Sequence, residues 1–248
     1  MFNSIVNMHV GLAGSGKSHL AYTFPKFYCI STEPNNHWVW ELNPELKKNM
    51  VKHEYFIPEK NTLKDMFVQI EDKINEAKEL HVKGEVDTLI LDNLTYLVHN
   101  RWMWIKLYAK KLTRTGEVDT RGMYGDLRNW GYDFLLMNIL SFKGNVVVNV
   151  HEMQENDEAL DKKIDKSITI VPNITGGLRN DVDGLFSNVF YLSKINRKEG
   201  GYRYMCRTNK GSSKNAKNRF NLDEVLEDVS YQVIRDAINK TTNKKGEK

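Results

Sequence analysis

Short apolar runs alternate with amphipathic stretches along this 248-residue chain. Ile5–Val10 reads as a buried strand that breaks into a glycine-rich turn, and Ser18–Phe24 as a helix stopped by Pro25. Phe27–Ser31 is a second strand. Residues 34–60, with Trp38 and Trp40, lack clear periodicity and read as an insertion carrying an extra strand at Tyr55–Ile57. Met66, Phe67, Ile70, Ile74, Ala77 and Leu80 then fall on one helical face, capped by Asn61 or Thr62. Val86–Leu91 is a strand ending at Asp92, Leu94–Leu112 a helix, Thr113–Tyr124 a polar segment, Asp126–Leu140 a helix and Val146–Val150 a strand. A charged segment, Glu152–Ser167, leads to the short apolar Ile168–Val171. Asn188–Leu192 and Tyr202–Thr208 read as an antiparallel hairpin, and Leu222–Ile238 as a final amphipathic helix. Strands alternating with helices predict an α/β fold with a mostly parallel twisted sheet flanked by helices and an antiparallel hairpin at one edge. A single domain over 1–238 with a flexible basic tail over 239–248 is expected.

Composition narrows the class. No apolar stretch approaches the roughly 18 residues of a membrane span, and Met1–Asn7 lacks the basic-then-apolar pattern of a secretory signal. A cytoplasmic protein without a membrane partner is expected. The two cysteines, Cys29 and Cys206, have no CxxC spacing and read as reduced core thiols. Charge is asymmetric. Nine basic residues and one acid lie between Lys194 and Arg219, a net +8 within a chain whose total is +4. Such a strip suits a polyanion, or is a solvated basic hairpin.

The chemistry concentrates in Gly11-Leu12-Ala13-Gly14-Ser15-Gly16-Lys17-Ser18, a complete GxxxxGK[ST] between a strand and a helix. Glycines there let backbone N–H groups converge on phosphate oxygens, Lys17 reaches the β- and γ-phosphates, and Ser18 ligates Mg²⁺. The strand ending at Asp92 supplies the carboxylate that such a magnesium ion needs, held through water. Hydrolysis also needs a group that orients or deprotonates water. Glu33, ending the second strand at the same sheet edge, suits that role, with an exposed loop residue as the alternative. His151, after Val146–Val150, is placed either to sense the γ-phosphate or to serve as a structural histidine. Trp38 and Trp40 either stack on a base or pack the insertion.

This ordered set resembles RecA-like recombination ATPases, and most of all the short phage-encoded members linked to single-strand annealing. The resemblance runs from about Ile5 to Arg219. A phosphate loop, a strand ending in glutamate (Glu33) and a strand ending in aspartate (Asp92) follow that family's order. Asn149-Val150-His151 occupies the place of the Asn-Gln that ends the fourth strand of bacterial RecA. Residues 113–124, with Arg114 and Arg121, fall where the family has its first DNA-binding loop. Residues 152–175, with Lys162, Lys163 and Lys166, fall at the second, which exits through Gly176-Gly177 towards Arg179. Lys217-Asn218-Arg219 resembles the Lys-x-Arg that touches the γ-phosphate bound to a neighbouring subunit.

The resemblance implies an ATP- and Mg²⁺-dependent, DNA-stimulated ATPase of phage DNA recombination that binds single-stranded DNA. It also implies a homo-oligomer, ring or filament, and a single-strand-binding or annealing protein as a partner. With a first strand at about residue 5, an N-terminal polymerisation domain like those of full-length recombinases is not expected. Two other classes fit the phosphate loop: a nucleotide-gated adaptor with little turnover, and a small-molecule kinase.

Overall fold

A computed structural model describes residues 4–33, 38–59, 63–156, 168–197, 200–209, 214, 216–220 and 222–246. Strand β1 (Val6–Gly11) runs into the phosphate loop and helix α1 (Lys17–Tyr22), followed by β2 (Phe27–Ser31). The insertion holds two single-turn helices, α2 (Trp38–Glu41) and α3 (Pro44–Lys47), before β3 (Met50–Tyr55). Next come α4 (Leu63–Val82), β4 (Thr88–Asp92), α5 (Leu94–Tyr108) and α6 (Thr120–Asp133), the last continued by a π-helical turn over Phe134–Ile139. Then β5 (Asn145–Asn156), β6 (Ile168–Pro172), a 3₁₀ turn over Gly177–Asn180 and α7 (Val182–Leu185) lead to β7 (Asn188–Asn196) and β8 (Tyr202–Arg207). The chain closes with β9 (Val225–Glu227) and α8 (Tyr231–Gly246).

The strands join in the order β3-β2-β4-β5-β1-β7-β8-β9, with β6 paired to the far half of β5. From β3 to β7 every neighbour is parallel, whereas β8 and β9 add antiparallel at the edge. This is the mostly parallel α/β sheet with an antiparallel edge that the sequence leads one to expect. The central strands β2 and β4 are buried at every position, as parallel strands covered on both faces must be. Alternate residues therefore feed two cores. Met8, Ile30, Leu91 and Val148 pack under α4, α5 and α6, while Cys29, Ile90, Val147 and Phe190 pack under α1 and α8. Both cysteines are buried and free. No helix of the described residues is long and apolar enough to cross a membrane.

Four elements differ from expectation. The extra strand of the insertion is Met50–Tyr55, not Tyr55–Ile57; it lies at the sheet edge, half-exposed, and so lacks the apolar run that marks a buried strand. Helix α6 begins at Thr120 behind Asp119, whose carboxylate accepts from the Gly122 N–H at 2.8 Å, so half of the polar 113–124 segment is helical. The remainder is a hairpin, bridged between Leu112 and Val118 and closed by the Thr113 N–H on the Glu117 carbonyl at 2.7 Å. The expected final helix is split, with β9 replacing its first part, and α8 continues to Gly246 into the residues expected as a tail.

Candidate nucleotide site

The parallel register brings the carboxyl ends of four strands to one edge. Gly11 lies opposite His151 across β1 and β5, and Asp92 lies between Ser31 and Asn149. Above them the loop 11–18 wraps over the start of α1. Gly14 and Gly16 take φ of 74° and 94°, a region where a side chain is strained. Gly16 also has the Tyr204 ring against the place a Cβ would take. The hydroxyl of Ser15 is buried without a hydrogen-bond partner among the described residues.

Lys17 lies in this loop with its ammonium donating to the carbonyls of Gly11 at 2.9 Å and Leu12 at 2.8 Å. Burial pushes its pKa down, and the carboxylates of Asp92, Glu33 and Glu152 act against that. A buried cation surrounded by backbone dipoles and three acids, beside a glycine cradle, fits a chain of phosphates. Asp92 is fully buried and accepts from Tyr22 Oη at 3.3 Å. Among the described residues no group of three or more His, Cys, Asp or Glu could hold a metal ion. Ser18 and Asp92 would hold Mg²⁺ only together with phosphate and water.

Glu33 and His151 meet on the other side of Lys17. His151 Nδ1 lies 3.5 Å from Lys17 Nζ, and His151 Nε2 lies 3.7 Å from Glu33 Oε1. Between them stands Asn93, which the sequence reading missed. Its Nδ2 donates to Glu33 Oε2 at 2.6 Å and approaches His151 Nε2 at 3.1 Å. Burial raises the Glu33 carboxyl, but its neighbours, the Lys17 charge and the Asn93 NH₂ among them, outweigh that and hold it below the usual carboxylate range. Glu33 is thus ionised at neutral pH, as a base must be.

A cavity of about 280 Å³ adjoins these groups. Lys17, Ser18, Glu33 and His151 give it a polar lining, to which Val39, Leu42, Tyr202 and Tyr204 add apolar and aromatic surface. Tyr204 packs on His19 with centroids 5.1 Å apart. Trp40 instead packs the insertion against the core, on His53 of β3 at 4.5 Å and on Tyr22 of α1 at 5.7 Å. The side chain of Trp38 lies outside the described residues. The tyrosines on β8 were not legible as site residues, because only the sheet order carries them to the loop.

The remaining expected residues are dispersed. Arg114 is exposed at the tip of the 112–118 hairpin and Arg121 on the first turn of α6. Arg179 is half-buried, its guanidinium 3.8 Å from Met153 Sδ on β5. A Cβ on Gly176 would lie 3.3 Å from Tyr124, and one on Gly177 3.1 Å from Arg128, so the two candidate loop regions abut on α6. Lys162, Lys163 and Lys166 lie outside the described residues. Residues 152–156 and 168–172, expected within a loop, form the antiparallel β5–β6 ribbon. Lys217 pairs through its backbone with Val189, and the Arg219 N–H donates to Asn188 Oδ1 at 3.1 Å. Their partners Asn188 and Val189 start β7, level with Asn7 and Met8 and so about 10 Å below the end of β1. The backbone of Lys217 and Arg219 thus stands at the end of the sheet away from their own phosphate loop.

Three arginines of the basic strip are paired with acids. Arg197 pairs with Asp228 at 2.8 Å, Arg203 with Glu227 at 2.7 Å, and Arg207 with Glu224. These acids lie in β9 or next to it, so the strip works in part as a charge seam that docks the edge strand.

The family model of the AAA domain matches residues 5–220. The chain belongs to that family. No curated protein matches it. Among solved structures, the crystal structure of the RadB recombinase aligns at 14% identity with a TM-score of 0.48, covering 91% of this chain and 87% of that one.

Proposed function

We propose that this protein binds and hydrolyses ATP with Mg²⁺, and that single-stranded DNA stimulates the reaction in phage recombination by strand annealing. The convergence of Lys17, Glu33 and His151 on the wall of a cavity built on the phosphate loop carries this reading. ATP supplies the labile phosphoanhydride. Lys17 would exchange the Gly11 and Leu12 carbonyls for phosphate oxygens, Glu33 would take the proton of the attacking water, and His151 would face the γ-phosphate. The base would lie against Val39, Leu42 and the β8 tyrosines. Lys217 and Arg219, remote from their own loop, would serve the site of a neighbouring copy in a ring or filament. Arg114, Arg121 and Arg179 would contact the DNA, together with Lys162, Lys163 and Lys166.

Steady-state ATP hydrolysis with and without single-stranded DNA, with Lys17→Ala as the blank, tests this. Stimulation that fades with salt and vanishes in the variant supports it; turnover indifferent to DNA overturns it. The pairing of Arg197, Arg203 and Arg207 with acids favours one second reading, a nucleotide-gated adaptor with little turnover, which would keep its activity as Glu33→Gln.

A further inference from the structure

The contacts of Asn93 fix which ring nitrogen of His151 carries the proton. The Tyr96 backbone N–H donates to Asn93 Oδ1 at 3.0 Å. A backbone amide can only donate, so the carboxamide oxygen is on that side and its NH₂ on the other. The Asn93 carbonyl accepts from Thr32 Oγ1 at 2.7 Å, which anchors the residue from a third direction. The NH₂ meets Glu33 Oε2 at 2.6 Å and His151 Nε2 at 3.1 Å. An amide NH₂ has two protons to give and no capacity to accept. A proton on Nε2 would therefore point at a donor, and its other neighbour, Glu33 Oε1, is too far at 3.7 Å for a hydrogen bond. Both ring nitrogens face a donor, Asn93 at 3.1 Å and Lys17 at 3.5 Å; two protons cannot share the shorter contact, which therefore selects a bare Nε2 and places the single proton of the neutral ring on Nδ1.

That Nδ1 faces Lys17 Nζ at 3.5 Å, the only partner shown for it among the described residues, and Lys17 is itself a donor. Two donors side by side on the wall of a cavity form a notch that takes an anionic oxygen. The first turn of α5 holds His151 at two further points: Thr95 Oγ1 accepts from its backbone N–H at 3.0 Å, and the Tyr96 ring stands edge-on to the imidazole at 5.7 Å.

We infer that Asn93 is a positioning residue that sets His151 in its Nδ1–H tautomer, presenting a hydrogen-bond donor beside Lys17 to the terminal phosphate of a bound nucleoside triphosphate. The last clause rests on the reading of His151 given under Proposed function. The tautomer itself does not.

The test is nuclear magnetic resonance of the nucleotide-free full chain with ¹⁵N/¹³C-labelled histidine, the His151 ring being assigned by its absence in His151→Gln. The wild type should show a protonated Nδ1 and a bare Nε2. Asn93→Asp and Asn93→Ser both keep a side-chain oxygen for the helix cap but remove the NH₂. Both should move the proton to Nε2 or average the two forms. A wild-type ring protonated at Nε2, whatever the variants do, overturns the inference, as does an unchanged tautomer in both folded variants. ATP and ADP affinities provide the second readout. The variants should lose about tenfold in the preference for ATP over ADP while ADP binding holds. A tautomer that moves while the preference does not supports the role of Asn93 and removes His151 from the γ-phosphate.

Discussion

Tyr22 on α1 donates its phenol to Oδ2 of Asp92 at the end of β4, across 3.3 Å. The contact ties the helix that follows the phosphate loop to the carboxylate that would hold the metal ion. The ring also stacks on Phe27, centroids 5.0 Å apart, so its packing does not depend on the hydroxyl. Tyr22→Phe should keep the stack and leave the buried carboxylate with one donor fewer. A loss of about 1–2 kcal/mol is expected in urea unfolding of the nucleotide-free protein; an unchanged midpoint would mean that Asp92 is satisfied without it.

Gly16 is constrained twice, by a φ of 94° and by the Tyr204 ring. Gly16→Ala should cost about 1–2 kcal/mol from the backbone alone and displace Tyr204 from the cavity wall. Adding Tyr204→Ala relieves only the overlap. The double variant should therefore recover part of the stability and little of the nucleotide affinity, measured by thermal unfolding and by titration with a fluorescent ATP analogue.

The phosphate loop was legible in the sequence because its chemistry is local: eight adjacent residues carry the whole instruction. Asp92 and Glu33 were legible as acids ending strands that parallel α/β topology brings to one edge. Asn93 was not, since its role exists only where residues 33, 93 and 151 converge, and no periodicity links them. The helix expected from Leu222 failed for a physical reason. Leu222, Val225, Leu226 and Val229 stand at helical spacing, yet the open edge of β8 and its arginines draw 225–227 into a strand with acids in it and next to it. Tertiary pairing overrode a local pattern that was itself unambiguous.

On the proposed function, Glu33→Gln should separate catalysis from binding. A glutamine oxygen can still accept from Asn93, so the local structure should survive while the base is lost. ATP turnover should fall about 10²–10⁴-fold with nucleotide affinity within a few-fold of wild type. Single-turnover and binding measurements together check this, and retained turnover would remove Glu33 as the base.

On the proposed function, the charge seam predicts which cations would matter for DNA. Arg203 already pairs with Glu227, whereas Arg121 is exposed on the first turn of α6. Arg203→Ala should leave single-strand affinity within about twofold. Arg121→Ala should weaken it and lower the slope of log K against log salt by about one. Fluorescence anisotropy at several salt concentrations measures both, and equal effects would return the hairpin to consideration as the DNA surface.

His9 predicts how the fold responds to acid. It lies mid-strand in β1, fully buried between Phe24 and Phe190, and opposite Asn149 across β5. Burial lowers its pKa from 6.5 to about 3, with Asn149 partly offsetting and the Lys17 charge adding to the shift. Below pH 6.5 the unfolded chain takes up a proton that the folded chain refuses. Stability from this residue is therefore complete above that pH and falls as the pH drops towards 3. Between pH 7 and pH 5 the loss should be about 2 kcal/mol. His19, also lowered by burial, acts in the same direction, so the comparison that isolates His9 is between wild type and His9→Gln. The glutamine stays polar and does not titrate. Its urea-unfolding free energy should decline about 2 kcal/mol less over that interval, and parallel acid limbs for the two proteins would show that His9 is protonated in the folded state.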